Sequence, residues 1–318
     1  MSPVDVLDLR FESAADAVVD GDVATLRSLL AECEGLIRAH SQRSHCATLL
    51  HYLGANGVED FRQKSPRNAV EVAEVLLNAG AEIDTVADLY GGSTTLELAA
   101  TSLHPQEAGV QLALMETLLA HGADPARKGS LIHSCLACNQ LAAAEFLAAR
   151  GLDLDLPAAA GLGRVPLTRE LLSGAAPLSA TSLDGSVSPA AQGFLWACAY
   201  GHDAVIPLFL DRGMPVETKD RFGQTGLHLA AMNCHRSTIQ IILQYGSDIE
   251  ATNSYGGTVL GQALWSAAHA RNSDAFLPVI NDLCRVGARI PHPLPPISTE
   301  IDRILTSWGY CPDPAFGG

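Results

Sequence analysis

The chain has 318 residues and a formal net charge of −15, from 20 basic and 35 acidic side chains. Such a charge repels polyanions, so nucleic acid and anionic membranes are poor partners. Apolar residues make up 47% of the chain and aromatic residues only 5%, a balance that favours closely packed helices over a β-sandwich or barrel.

The first residues, M-S-P-V-D-V-L-D-L-R, carry acid where a signal peptide carries basic residues. No uninterrupted apolar run reaches the roughly 18 residues of a membrane span. The eight cysteines are scattered without the spacing of a disulfide scaffold. We therefore expect reduced thiols and a cytoplasmic protein that does not enter a membrane.

Short pairs of apolar segments, each closed by a glycine, recur along the chain. In chain order, the copies begin at Thr48, Thr94, Ser130, Ala159, Gln192, Thr225 and Thr258. The first two copies close late, which indicates insertions, the larger at residues 58–68. The pattern predicts N-terminal capping helices in 1–47, repeats with insertions in 48–172, an irregular loop in 173–191, regular repeats in 192–290 and a C-terminal cap in 291–318.

The two clearest copies run from Gln192 to Gly213 and from Thr225 to Gly246. Their starts and their ends are each separated by 33 positions, and the second begins T-G-L-H-L-A-A. This pattern resembles the ankyrin family, whose repeat has about 33 residues and a T-P-L-H-x-A type of start. The resemblance implies an all-α ankyrin-repeat solenoid of helix-turn-helix units with short β-hairpin-like turns.

The N-terminal repeats are similar to those of bacterial ankyrin proteins that carry insertions. The residues that carry this likeness are H-Y-L-G-A-N-G-V-E-D-F-R-Q from His51 and Y-G-G-S-T-T from Tyr90.

The residue types within each copy predict how the repeats pack. Small residues, such as Ala230 with Ala231, let the first helix of a pair approach its neighbours. Paired aliphatic residues, such as Ile242 with Leu243, turn the second helix inward. The closing glycines favour a left-handed conformation after the helix, and Pro207 is expected in the first turn of its helix, where the missing N–H is harmless.

Histidine and cysteine are the residue types to test for catalysis or metal binding. His51, His133 and His228 each stand fourth in a repeat start, where the resemblance implies a bond to backbone that ties adjacent repeats. His133, Cys135 and Cys138 are conceivable metal ligands, but Cys135 falls at a small core position. We expect no catalytic residue, no metal and no cofactor.

Two further features are interpreted as structural. The Gly-Gly pairs after Tyr90 and Tyr255 lack the Lys-Ser/Thr of a phosphate loop, so they are read as hairpin turns. The small basic cluster of Arg62, Lys64 and Arg67 is read as a solvated loop.

The resemblance implies that a partner contacts the turn tips and the concave face of the first helices. By repeat position, the candidate partner-binding residues are Asn56, Tyr90, Tyr200, Arg221, Phe222, Met232, Asn233, Tyr255 and Trp265. Aromatic residues are favoured at such sites because they dominate binding energy at interfaces. Packing of neighbouring tips on one another is the alternative for the tip aromatics.

The sequence therefore predicts a monomeric protein-protein interaction module. One alternative is an enzyme or small-ligand-binding protein with a pocket between the 58–68 insertion and the Tyr90 turn, because long loops are often functional. Another is a protein that inhibits or matures one cognate enzyme encoded beside it.

Overall fold

Helices account for the regular secondary structure of the protein. The computed structural model describes residues 3–54, 59–127, 129–173, 178–181 and 186–311. Over these residues it contains seventeen α-helices, four 3₁₀ helices and no β-strand, which confirms the predicted all-α class. None of the described helices is both long enough and apolar enough to cross a bilayer.

Most of the α-helices are short, as ankyrin-like hairpins require. They are α1 (Pro3–Asp20), α2 (Val23–Glu32), α3 (Ala69–Asn78), α4 (Thr95–Thr101), α5 (Leu103–Glu107), α6 (Gln111–Ala120), α7 (Leu131–Ala137), α8 (Leu141–Ala148), α9 (Leu156–Gly161), α10 (Val165–Ser173), α11 (Pro189–Ala199), α12 (Ile206–Leu210), α13 (Gly226–Met232), α14 (Arg236–Gln244), α15 (Val259–His269), α16 (Leu277–Arg285) and α17 (Thr299–Ser307). The 3₁₀ helices are Glu34–Arg38, Leu49–Leu53, Asp60–Arg62 and Ser273–Phe276.

The chain divides into two compact units, Met1–Asp153 and Leu154–Gly318. In the first unit, α4 pairs with α6 and α7 with α8, while α1 and α3 pack on the 3₁₀ helix Leu49–Leu53. In the second unit, α9, α11, α13 and α15 pack in succession as first helices, and α17 packs on α16. Residues 174–177 and 182–185 of the predicted irregular loop lie outside the described residues, and the predicted domain boundaries stay predictions.

Short hairpin-like turns precede the first helices. Each turn is closed by an isolated antiparallel bridge, and the bridges pair His40 with Thr48, Ala87 with Ser93, Thr181 with Val187, Lys219 with Thr225, and Thr252 with Thr258. The Gly-Gly pairs after Tyr90 and Tyr255 lie within two of these turns. Their interpretation as hairpin turns is therefore confirmed.

Small side chains bring the first helices of the second unit into close contact. Ala230 and Ala231 are fully buried. At Gly226, which begins α13, an added Cβ would lie 2.7 Å from the Sγ atom of Cys198 on α11. Any larger residue at this position would therefore push the two helices apart.

The second helices turn apolar side chains inward, as predicted. Ile242 is fully buried and Leu243 is half-buried, and the pairs that begin at Leu76 and Leu118 repeat this arrangement. Burying one such side chain contributes about 1.5–3 kcal/mol. Because a single hairpin has no partner for this face, stacking against the next hairpin supplies most of the stability.

The predicted ends of the second helices are confirmed. The closing residues Gly80, Gly122, Gly151, Gly213, Gly246 and Gly287 all have φ between 82° and 99°. At Gly246, the N–H donates to the carbonyl of Leu243 (3.0 Å) and so ends α14 in a glycine turn. Pro207 lies in the first turn of α12, where the helix does not use its missing N–H.

Histidines in the T-x-x-H starts connect adjacent repeats. In His228, Nδ1 accepts the Thr225 backbone N–H (3.3 Å), so Nε2 carries the proton and donates to the carbonyl of Gly257 in the next turn (3.1 Å). His51 does the same with Thr48 and the carbonyl of Thr85 (3.0 Å). The structural role that the resemblance implied is thus confirmed for both residues.

These bonds need neutral imidazoles. Burial lowers the pKa of His51 to about 4, and burial also lowers the pKa of His228. For His133 the structure shows the N-cap bond from its backbone N–H to the Ser130 hydroxyl (3.3 Å).

A second set of histidines, which the sequence analysis did not identify as ties, points toward the preceding repeat. The Nε2 atom of His202 donates to the carbonyl of Gly161 (2.9 Å), and that of His235 donates to the carbonyl of Ala199 (3.0 Å). The His235 ring lies against Gly201, where a Cβ atom would approach Nδ1 to 2.6 Å. The repeat that begins at Thr225 is therefore joined by histidines to its neighbours in both directions.

Candidate partner-binding surface

Two turn tips of the second unit are connected through their backbones. The Ser254 N–H donates to the carbonyl of Phe222 (2.9 Å), and the Lys219 ammonium donates to the carbonyl of Thr252 (3.0 Å). The tips thus form a continuous edge that holds its side chains in fixed positions.

The aromatic side chains on this edge remain accessible. Tyr255 is 79% exposed and Phe222 is 40% exposed. The Arg221 guanidinium lies over the Phe222 ring, 4.7 Å from its centroid, and this contact stabilises the pair by about 0.5–1 kcal/mol at an exposed site. Packing between tips therefore involves the backbone, while Arg221, Phe222 and Tyr255 present surface to solvent.

Trp265 is the most exposed large hydrophobic residue on the first helices of this unit, at 59%. Its ring stacks on His269 one turn later, with centroids 4.3 Å apart and an interplanar angle of 28°. The Nδ1–H of His269 donates to the carbonyl of Trp265 (2.8 Å). The stack holds the indole in one orientation while its other face is open.

An apolar groove of about 820 Å³ lies beside Trp265, within the second unit. It is lined by Gln224, Met232, Asn253, Tyr255, Gly257, Gly261, Gln262, Leu264, Trp265, Ala268, His269, Pro291, Leu294, Pro295 and Ile297. A volume of about 300–1,000 Å³ with mainly apolar walls and a few polar groups is typical of binding sites. We call it the Trp265 groove.

The structure brings together three of the predicted binding residues, Met232, Tyr255 and Trp265, in this groove. Arg221 and Phe222 lie on the adjoining tip. Tyr200 and Asn233, at the ends of α11 and α13, are half-buried and do not line the groove; the Asn233 amide donates to the carbonyl of Leu229 (3.0 Å).

The other two predicted residues belong to the first unit. Tyr90 is exposed at its turn with φ of 52°, and Asn56 lies outside the described residues.

Several residues of the groove were missed by the sequence analysis. Gln262 and His269 lie three residues before and four residues after Trp265 on α15, so helical spacing could have identified them. The wall formed by residues 291–297 had no such signal, because it follows α16 and returns to α15 only through tertiary packing.

An amide network fixes the rim of the groove. The Asn253 Oδ1 atom accepts the N–H groups of Tyr255 (3.0 Å) and Gly257 (2.9 Å). Its Nδ2 atom donates to Gln262 Oε1 (3.2 Å), and Gln262 Nε2 contacts the Met232 sulfur at 3.5 Å. The Tyr255 tip is therefore anchored to α15 and α13.

The 58–68 insertion of the first unit has a different character. Arg62, which the sequence analysis placed on a solvated loop, is 4% exposed, and that interpretation is wrong. Its guanidinium donates to Glu12, Asp16 and Glu59, each at 2.8 Å. Burial of the planar cation is tolerated because three carboxylates surround it.

Glu59 is the second centre of this ion network. The Tyr52 hydroxyl donates to it (2.7 Å), the Arg43 guanidinium lies 2.9 Å away, and His45 Nε2 lies at 3.3 Å. Burial and the bond to Glu59 raise the pKa of Tyr52. The described part of the insertion thus packs against α1 and the turn before the first repeat, which favours a structural role over a pocket.

The cysteine and histidine residues considered for metal binding do not form a cluster. Cys135 is fully buried, its thiol donates to the carbonyl of Ala100 (3.6 Å), and burial raises its pKa to about 12. Its predicted core position is confirmed. Across the described part of the chain, no three His, Cys, Asp or Glu side chains converge in a way that could hold a metal ion.

Comparison with known proteins agrees with this geometry. The family model "Ankyrin repeats (3 copies)" matches residues 156–253 and 194–277. The second unit carries ankyrin repeats. Together with the helical architecture, this match supports an all-α ankyrin-repeat fold class.

Two curated proteins are similar to part of the chain. Inversin from Danio rerio is 34% identical over 59 residues, which cover 18% of this chain and 6% of inversin. Ankyrin repeat domain-containing protein 63 from Mus musculus is 35% identical over 63 residues, which cover 20% of this chain and 15% of that protein. The chain therefore spans only a small share of the curated relatives it matches.

Proposed function

We propose that this chain is a protein-protein interaction module that binds its partner through the Trp265 groove and the adjoining turn tips. Ankyrin repeats generally mediate protein-protein interaction. The observation that carries the proposal is the exposed, oriented Trp265 beside an apolar groove. Tryptophan and tyrosine in such positions are favoured as binding hot spots because they bury a large area at low entropic cost.

The proposed surface includes Met232, Tyr255, Trp265, Arg221 and Phe222, with Tyr200 and Asn233 at its margin. A contribution from Tyr90 and Asn56 of the first unit is a further part of the proposal. The proposed activity is binding, which requires neither a cofactor nor a metal. The net charge of −15 favours a protein partner over nucleic acid, and we propose that the chain acts as a cytoplasmic monomer.

A triple variant tests this proposal. Changing Tyr200, Phe222 and Trp265 together to alanine removes exposed or half-exposed rings, so the melting temperature is expected to stay close to that of the wild-type chain. Partner proteins are captured from the native host, identified by mass spectrometry, purified and titrated. Loss of one good hot-spot residue weakens binding by about 30-fold, so the triple variant should bind at least that much more weakly.

The matched control replaces three exposed aromatic residues that lie outside the groove, Phe61, Tyr245 and Trp308. This control should retain the affinity of the wild-type chain. Equal affinity of the triple variant and the control for the purified partner would refute the assignment of this surface.

A further inference from the structure

Several residues that line the Trp265 groove carry a hydrogen-bonding group without a partner in the described part of the chain. The Trp265 indole N–H and the Gln224 side-chain amide make no hydrogen bond within the described residues, and neither does the Tyr255 hydroxyl. An indole offers a donor and no acceptor, an amide offers two N–H donors and one acceptor, and a phenol offers one of each. With its Nδ1 protonated, His269 adds an acceptor at Nε2, but the indole N–H can be satisfied only by a ligand that supplies an acceptor.

The groove also lacks charge. Although 17% of the chain is charged, no Asp, Glu, Lys or Arg is among the residues that line this groove. A charged ligand group would lose its hydration here without gaining a counter-ion, at a considerable cost in free energy. By charge complementarity, the groove favours an uncharged ligand segment.

Backbone carbonyl groups are the uncharged acceptors that every protein partner carries. In a helix these carbonyls are already used by the i to i+4 hydrogen bonds, whereas in an extended segment they are free. The side chains of an extended segment also alternate between its two faces. Every second side chain can then enter the apolar groove while carbonyls meet the donors along its rim.

We infer that the Trp265 groove binds an extended, uncharged peptide segment of the partner. Apolar side chains of this segment occupy the space between Met232, Leu264 and the wall of residues 291–297, and its carbonyl oxygens accept from Trp265 Nε1 and Gln224. This inference rests on the proposed function and adds the chemistry of the recognised segment.

Peptide selection tests the inference directly. A random peptide library displayed on phage is selected on the full chain and counter-selected on the Trp265→Ala variant. The expected consensus contains apolar residues at alternate positions and no Asp, Glu, Lys or Arg within the core that binds. Synthetic peptides with this consensus are then titrated against the full chain.

Substitutions at Trp265 distinguish the contribution of the aromatic ring from that of the indole N–H. Trp265→Ala is expected to weaken binding of the selected peptide by about 30-fold. Trp265→Phe keeps an aromatic face but loses the N–H, so a loss of about 3- to 10-fold is expected. Trp308→Ala, a tryptophan outside the groove, should leave the affinity unchanged. A lysine or a glutamate placed in the core of the peptide should each weaken binding.

Several results would overturn the inference. These are a consensus with the spacing of an amphipathic helix, a requirement for charged residues, a Trp265→Phe variant with wild-type affinity, or no Trp265-dependent peptide at all. Self-association of the wild-type chain that Trp265→Ala abolishes would identify a second copy as the occupant and would overturn it too. If the purified partner still requires Trp265 in any of these cases, the proposed function stands and only the extended, uncharged segment is wrong.

Discussion

Acid should destabilise the first unit through His51, and replacing this residue by glutamine should reduce the effect. In the folded chain, burial lowers the pKa of His51 to about 4 from an ordinary value of 6.5. Above pH 6.5 the residue is neutral in both states, so its full contribution to stability is present. Between pH 6.5 and about 4 the unfolded chain binds a proton that the folded chain does not, and stability falls as the pH falls.

The size of the effect follows from the shift. One pKa unit corresponds to about 1.4 kcal/mol, so the loss attributable to His51 approaches about 3 kcal/mol near pH 4. The free energy of unfolding is measured by urea titration between pH 7 and pH 4.5, with far-UV circular dichroism as the signal. His51→Gln should lower stability at pH 7, because the bond to the Thr85 carbonyl is weakened, but its stability should fall less steeply with pH.

His104→Gln is the matched control in the same unit, since the His104 ring makes no hydrogen bond in the described part of the chain. This variant should follow the wild-type pH dependence. If the free energies of unfolding of wild type and His51→Gln fall in parallel from pH 7 to pH 4.5, protonation of His51 does not limit stability in acid. That result would refute the prediction.

Three further predictions concern packing. Arg62→Met removes the cation that faces buried Glu59 and should lower the free energy of unfolding by about 3 kcal/mol. Arg67→Met, on the surface, should have little effect. Urea denaturation of both variants measures the difference, and equal stabilities would contradict the prediction. Gly201→Ala should lower the melting temperature of the second unit, because φ is 71° and the new Cβ would lie 2.6 Å from His235 Nδ1. An unchanged melting temperature would contradict the close packing of the His235 ring on residue 201. Burial raises the pKa of Cys135 to about 12, so this thiol should resist iodoacetamide in the native chain, whereas exposed Cys46 should be alkylated. Peptide mass spectrometry measures the labelling of each cysteine. Equal labelling of the two would contradict the burial of Cys135.

The repeat architecture could be predicted from the sequence because its causes are local. A Thr and a His three residues apart form a capping arrangement within one helical turn, as Thr225 and His228 do. A glycine such as Gly246 ends a helix through its own φ, and the 33-residue spacing follows from the length of one hairpin. The capping pair and the glycine act over a few residues, and the spacing is a property of the sequence itself, so all three can be recognised without the structure.

The accessibility of Trp265 and Tyr255 could also be predicted from their repeat positions, whereas Met232 is half-buried against the core. The convergence of Met232, Tyr255 and Trp265 on one groove could not be predicted, because the opposite wall comes from residues 291–297, whose position depends on how α16 and α17 pack. Arg62 shows the same limit in the first unit. Its burial depends on Glu12 and Asp16, which lie 50 and 46 residues earlier in the chain.

The sequence by itself determined the helical hairpins, their ends and their turns, because hydrogen bonding and steric preference within a few residues decide them. The histidine ties to the next turn span 29 to 34 residues, and in the sequence they were implied only by the family resemblance. Only the tertiary structure decided which side chains share the Trp265 groove and which charges neutralise Arg62. Those outcomes depend on the desolvation of groups that are distant in the chain, and desolvation is a property of the packed molecule.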